Sequence, residues 1–559
     1  MNQTPQRRRY ICIHGHFYQP PRENPWLQSI EVQDSAAPYH DWNERITAEC
    51  YAVNGHTRIL DSEQRIVQIV NNYSKISFNM GPTLLSWMEE KAPRVYGAVL
   101  QADRESQKNF GGHGSAVAQV YNHIIMPLAT RRDKLTQIVW GMRDFEHRFK
   151  RRPEGMWLAE TAVDLETLDL LAESGILYTI LAPSQARRVR RLGAQNWKDV
   201  SGARIDPTRP YLLNLPSGRK ISLFFYDGPI ARAVAFEGLL RNGEHLAGRL
   251  LSGFTETRQR PQLMHIATDG ESYGHHHRHG DMALAYALHW IEQGSHARIT
   301  NYGEFLELFP PGHEVEIFEN SSWSCVHGIE RWRSNCGCNS GGYGHWNQSW
   351  RAPLRAALDW LRDELGQLFE AKGKELFRDP FAARNEYIDV ILNRATDNVD
   401  RFLLQHAGRT LDAAERCTAL ELLEMQRHTL LMYTSCGWFF DELSGIETVQ
   451  VIRYAGRALQ LASELAGDQS GQIERGFVER LAQARSNLPE HGDGEKIYNK
   501  WIKPSIVDLR RVGAHYAVSS IFEEYGGSAK IHCYTVERLD HRMLRAGRAR
   551  LSLGHIRIG

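Results

Sequence analysis

Two acidic residues stand where chemistry is often found, directly after short apolar runs. Glu160 closes Trp157-Leu-Ala-Glu160, after Gly155–Leu158, and Asp269 opens Asp269-Gly-Glu271, after Leu263–Thr268. Carboxylates that converge from different strand ends suit glycosidic cleavage, where one group donates a proton and the other attacks or activates water. A single acid at such a place is more often a helix N-terminal carboxylate favoured by the dipole. The flanks argue against that here: Trp157 precedes Glu160 by three positions, and Ser-Tyr-Gly-His275-His276 follows Glu271. His14 and His16 lie at the end of another apolar run, Tyr10–His14.

Two further clusters carry ligand-type side chains. His275, His276, His277 and His279 follow the second acid, and His275 and His279 have the i, i+4 spacing that could hold a metal on a helix face. Cys325-Val-His327, Cys336-Gly-Cys338 and His345 form the other. C-x-H…C-x-C is not a recognised zinc spacing, and the interleaved Trp323, Trp332, Tyr343, Trp346 and Trp350 suggest sugar stacking, or buried thiols within aromatic packing. Neither a metal nor a cofactor is therefore expected.

The elements that must position these residues can be read from periodicity. Tyr10–His14, Ile76–Asn79, Gly155–Leu158, Leu177–Leu181, Ile221–Tyr226 and Leu263–Thr268 read as strands. Thr57–Asn72, Leu135–Arg148, Leu165–Ser174 and Met282–Gln293 read as helices between them. This alternation predicts an α/β fold with a mostly parallel sheet, and its length favours a barrel with insertions. Pro310-Pro311-Gly312 is a breaker, and a Trp-, Cys- and Gly-rich stretch follows it. Helical patterns then cover 354–370, 384–406, 411–432, 446–466 and 471–487, and after about 513 the alternation turns strand-like. The expected organisation is a catalytic barrel over 1–310, a connecting segment over 311–352, a helical domain over 353–510 and a β-rich segment over 511–559. That last segment reads either as a natural end or as a truncated further domain.

Composition narrows the function classes. Of 559 residues, 42% are hydrophobic and 24% charged, an ordinary globular balance, and the net charge of +1 gives no general attraction to nucleic acid or to an anionic membrane. Arg7-Arg8-Arg9 reads as a solvated basic run. No apolar run has the length of an export signal or a membrane span, and eight cysteines do not make a disulfide scaffold. A cytoplasmic protein without a membrane or nucleic-acid partner is expected.

The motifs resemble those of glycoside hydrolase family 57. His14-Gly-His16-Phe-Tyr-Gln19-Pro20 is similar to the family's opening signature, with two extra residues before the glutamine. Trp157-Leu-Ala-Glu160 resembles its nucleophile motif and Thr268-Asp269-Gly-Glu271-Ser-Tyr-Gly its acid/base motif. Asn301-Tyr-Gly-Glu304 and Ser435-Cys-Gly-Trp438 resemble later elements, and the match is to a subgroup with an uncharacterised C-terminal domain. The resemblance implies a seven-stranded (β/α) barrel, a helical domain completing the cleft, and retaining chemistry on an α-glucan or maltooligosaccharide. It implies Glu160 as nucleophile, Asp269 as acid/base, Trp157 as a sugar platform, and His14 and His16 as holders of sugar hydroxyls. Gln19, His123, Glu271, His276, Trp323, Trp332 and Trp438 complete the expected substrate-binding set. Three positions depart from the family pattern: Gly112–His123 carries no acid, His276 stands where a Trp is common, and Gly437 stands where an Asp precedes the Trp. Two other readings stay open, a metal-dependent carbohydrate enzyme of deacetylase or α-mannosidase type and an inactive glucan-binding homologue.

Overall fold

The computed structural model describes residues 9–466 and 470–559. Arg7 and Arg8 of the basic run lie outside them; Arg9 is described and pairs with Glu256. Parallel strands in the N-terminal region include Arg9–Phe17, Ser77–Met80, Ala118–Gln119, Met156–Trp157, Tyr178–Leu181, Lys220–Phe225 and Gln262–Asp269, with Arg298–Ile299 a further parallel partner of Arg9–Phe17. Nearly every residue of Arg9–Phe17 and Gln262–Asp269 is buried, as expected for strands covered on both faces. The hydrogen bonds do not record one continuous seven-stranded ladder. Arg9–Phe17 pairs with Gln262–Asp269 and Ser77–Met80, and Ala118–Gln119 pairs with Met156–Trp157. Tyr178–Leu181 pairs with Lys220–Phe225 inside a six-stranded mixed sheet. Isolated bridges Phe78↔Ala116 and Gly155↔Tyr178 join these pieces, and the Asp227 N–H reaches the His265 carbonyl at 2.8 Å.

Three expected elements differ. Residues 57–72 form a hairpin, Thr57–Leu60 against Ile66–Val70, rather than a helix. The segment is rich in β-branched Ile and Val, and the Asp61 carboxylate accepts the N–H groups of Glu63 and Arg65 to close the turn. Residues 384–406 are not one helix but parts of three, Pro380–Glu386, Ile388–Leu392 and Thr396–Ala407. The Asn398 side chain donates to the carbonyls of Asp389 and Asn393, diverting backbone acceptors from a continuous helix. Beyond 508, a helix over Leu509–Ser519, capped by Asp508, precedes the strands; the chain then forms an antiparallel sheet of Ser528–Ile531, Tyr534–Ala546 and Ala549–Ile558. This end has its own small core of Val512, Tyr516, Ile531 and Val536.

The helical region packs on the strand-bearing region through one shared core. Its long helices, Arg351–Leu376, Ala413–Leu431 and Ile446–Ala466, bury one face each. Among the described residues no helix is long and apolar enough to cross a membrane.

Candidate active site

Strand register sets the floor of the site. His16 lies opposite Asp269 on one side and opposite Asn79 on the other. Register partners in a ladder project to the same face, so these three side chains leave the sheet together at the strands' C-terminal ends.

Glu160 follows its strand on a single tight turn, Ala159–Thr161. Glu160 and Thr161 both take left-handed backbone conformations, φ 57° and 52°. Such a conformation costs a non-glycine residue roughly 1–2 kcal/mol, and the surroundings must hold it. They do so through Gln185, whose amide oxygen accepts from the Thr161 hydroxyl at 2.9 Å and whose amide nitrogen donates to the Thr161 carbonyl at 2.9 Å. The Trp323 N–H also donates to the Glu160 carbonyl at 3.0 Å. One carboxylate oxygen of Glu160 accepts from Trp323 Nε1 at 2.9 Å and from Ser324 Oγ at 2.6 Å. Burial raises this carboxyl above its ordinary range, while the two donors and the Arg331 charge pull it back toward ionisation.

Asp269 is treated differently. Its side chain is open to solvent yet closely surrounded by protein, the signature of a concave cleft. Burial, then the negative charges of Glu271 and Glu160, hold it well above the usual carboxylate range. The Glu160 charge therefore reaches Asp269 and favours its protonated form. Glu271 is buried, and burial raises it to about 7, while hydrogen bonds from the Tyr51 hydroxyl at 2.5 Å and the Tyr18 N–H at 3.0 Å favour its anion.

A polar chain underlies both acids. His14 Nδ1 meets Ser77 Oγ at 3.0 Å, and its Nε2 meets Asn79 Oδ1 at 3.1 Å. Asn79 also contacts His16 Nδ1, His16 Nε2 lies 3.0 Å from His123 Nε2, and His123 Nδ1 lies 2.7 Å from Ser435 Oγ of the helical region. Burial lowers His14 and His16 to about 3 and lowers His123 as well, so all three rings are neutral. A contact between two ring nitrogens needs at least the accepting ring to be neutral, one nitrogen donating and the other accepting.

The expected residues thus divide. Contacts join Glu160, Trp323, His16, His123, Glu271 and Gln19 through Tyr18 into one connected set, and Asp269 stands in register with His16. Gln19 is nearly buried and is held by Arg22 and the Tyr18 carbonyl. His14 is fully buried with both nitrogens engaged, so it braces Asn79 rather than meeting a sugar. Trp157 offers no open face: it is fully buried, stacked on His14 and His16 at 4.9 and 5.0 Å. Trp332 and Trp438 are also fully buried and donate to the carbonyls of Ser435 and Arg351. Both fill the core where the helical region docks, because a ring with its N–H satisfied is most stable out of water. His276 is exposed at its surface yet crowded by protein, which, with the charges of His275 and His277, lowers it to about 4; its ring lies 5.1 Å from that of His275, but the other histidines of the cluster take separate partners. His275 pairs with Glu49, His277 meets the Ala235 carbonyl, and His279 precedes the next helix with φ 64°. No helix face presents His275 and His279 together.

Sequence reasoning passed over Tyr18, Tyr226 and Ser324. Tyr18 stacks on His123 at 3.8 Å and lies within the quoted His14–Pro20 run. The Asp269 charge raises Tyr226 further after burial has done so. Ser324 carried no signal beyond its place after Trp323. Gly437, where the family pattern has an acid, faces Val451: an added Cβ would lie 2.8 Å from Val451 Cγ1.

A family model described as glycosyl hydrolase family 57 matches residues 17–317, and one described as a domain of unknown function (DUF3536) matches 346–559. No curated protein matches the sequence. A solved exo-type maltose-forming amylase from Pyrococcus sp. ST04 aligns with a TM-score of 0.65 at 16% identity, covering 91% of this chain and 94% of that one. A branching enzyme from Pyrococcus horikoshii aligns with a TM-score of 0.51 at 16% identity, covering 90% and 99%. At such identities the likeness establishes a shared fold. The family match spans more than half of the 559 residues, and this chain belongs to glycosyl hydrolase family 57.

Proposed function

We propose that this protein is a retaining glycoside hydrolase or 4-α-glucanotransferase acting on α-linked glucans, with Glu160 as nucleophile and Asp269 as general acid/base. The observation that carries the proposal is the unequal setting of the two carboxyls. Glu160 has two donors favouring its anion, while Asp269 stands among negative charges that favour its protonated form. In the first step Asp269 gives its proton to the leaving glycosidic oxygen as a Glu160 carboxylate oxygen bonds to the anomeric carbon. In the second, Asp269 takes a proton from water or from an acceptor sugar hydroxyl, which displaces Glu160. Tyr18 and Trp323, each only partly buried, present the rings nearest the sugar; Trp323 also anchors Glu160, and the buried His16 and His123 brace these rings from beneath.

The parallel strands from Arg9–Phe17 to Gln262–Asp269, with bridges and single hydrogen bonds between their neighbours, support a closed seven-stranded barrel as the frame. A cytoplasmic location is part of the proposal, and eight unpaired cysteines favour a reducing compartment. The related amylase and branching enzyme leave the choice between water and a sugar acceptor to experiment. The test is proton NMR of the first product formed from maltooligosaccharides. Retention gives the α-anomer before mutarotation; an initial β-anomer would overturn the double displacement, and no turnover on any α-glucan would favour the inactive binder.

A further inference from the structure

The Trp- and Cys-rich segment, expected to hold no metal, brings four ligand-type side chains into one place. Cys325 Sγ lies 4.0 Å from Cys336 Sγ and 3.8 Å from Cys338 Sγ, and Cys338 Sγ lies 3.6 Å from His327 Nδ1. One ligand atom from each of Cys325, His327, Cys336 and Cys338 falls within 4.8 Å of the others. Zinc–sulfur bonds of ~2.3 Å and zinc–nitrogen bonds of ~2.0–2.1 Å, arranged tetrahedrally, give ligand–ligand edges of about 3.5–3.8 Å. The sulfurs are far outside the ~2.05 Å of a disulfide. We infer that Cys325, His327, Cys336 and Cys338 form a structural zinc site that fastens the loop holding Glu160.

The local backbone is built for such a site. Cys325 is buried, and the backbone N–H groups of His327 and Arg331 donate to its sulfur. Gly337, between Cys336 and Cys338, takes φ 80°, a left-handed turn that any Cβ would strain, and Gly328 beside His327 takes φ 87°. Three thiolates and a neutral imidazole around Zn²⁺ leave one net negative charge. Arg331 and Arg351 stand close enough to compensate it, and Arg351 Nη1 donates to the Cys338 carbonyl at 2.8 Å. A closed set of four protein ligands leaves no position for water, so the metal holds structure rather than performing catalysis.

The consequence for the active site follows from the chain. Trp323 and Ser324, the two donors to Glu160, immediately precede Cys325. Zinc ties this end of the loop to the 336–338 turn, so its loss frees both donors. This consequence rests on the Glu160 reading; the metal content does not.

The test is elemental analysis of the full-length protein purified without chelator, with Cys336→Ser, Cys338→Ser and the exposed-thiol control Cys417→Ser. About one zinc per chain is expected in the parent and the control, falling at least tenfold in both cluster variants. Cobalt(II) added to reduced, metal-free protein should give the intense visible absorption of a tetrahedral thiolate site. A parent that neither carries nor takes up zinc or cobalt while its thiols are reduced overturns the inference. So does a Cys325–Cys338 disulfide in protein purified under reducing conditions. If the variants fold poorly, cobalt uptake by the chelator-treated parent decides the question alone. With zinc removed, the acid limb of the pH–activity profile should move to higher pH, because Glu160 has lost donors to its anion. Zinc loss without that movement would leave the metal site standing and overturn the link to Glu160.

Discussion

Around Glu160 the protein supplies hydrogen-bond donors, whereas around Asp269 it supplies acids. Both carboxyls sit at strand ends and burial raises both, yet their neighbours push in opposite directions. Trp323 and Ser324 stabilise a charge on Glu160, and Glu271 opposes one on Asp269. Under the proposed mechanism this contrast is what keeps the nucleophile ionised and the acid protonated at the same pH. The Glu160 charge adds to the rise in Asp269 after burial and Glu271 have made theirs.

The comparison breaks most severely at its first member. Glu160→Gln keeps the shape and removes the anion, and kcat should fall on the order of 10³-fold or more. Circular dichroism should show the fold retained. Residual activity within about tenfold of the parent would remove Glu160 as nucleophile.

Asp269→Asn removes the proton donor. Turnover of natural oligosaccharides should fall by about 10²–10⁴-fold, with a much smaller loss for aryl glycosides whose leaving group is already acidic. Equal losses on the two substrates would count against the acid role.

Ser324→Ala sharpens the contrast by deleting one donor to Glu160. A hydrogen bond to a charged group contributes about 1.5–3 kcal/mol, so kcat at neutral pH should drop roughly tenfold or somewhat more. The sign of the pH effect follows from the lost donor. The anion is less favoured, the Glu160 pKa rises, and activity is lost at a higher pH as pH falls. An unchanged acid limb would detach Ser324 from Glu160.

Glu271→Gln acts on the other side. The amide oxygen can still accept from Tyr51, but the negative charge is gone. Asp269 then loses its proton at lower pH, so the alkaline limb moves to lower pH. A limb that stays in place would mean that burial alone sets Asp269.

The smallest effect concerns the buried tryptophans. Trp438→Phe loses a hydrogen bond to the Arg351 carbonyl and part of a ring packed under Arg355, 4.2 Å away. Stability should fall by roughly 1–2 kcal/mol with KM unchanged. A raised KM at full stability would return Trp438 to the sugar-binding set.

The helical region illustrates why some residues were legible in the sequence and others were not. Apolar periodicity located its main helices, because a helix that buries one face repeats that face in sequence. It missed the breaks near 387 and 393–395, where Asn398 competes for backbone carbonyls. Tryptophan within a motif did not reveal whether its ring met sugar or core. Trp323 and Trp332 share one segment, yet only Trp323 reaches Glu160, while Trp332 is fully buried against Ser435.

The sequence by itself determined the family, the strand-then-acid placement of Glu160 and Asp269, and the order of strand-bearing and helical regions. These depend on local pattern, which the covalent chain carries directly. Tertiary structure alone decided which acid is favoured as an anion, because a pKa depends on neighbours brought near through space. Ser324 lies 164 residues from Glu160 along the chain. It also gave His275 and His277 separate partners while gathering Cys325, His327, Cys336 and Cys338. Metal-ligand geometry requires side chains to converge on a point, and in an irregular loop the turns at Gly328 and Gly337, rather than the spacing, bring that about.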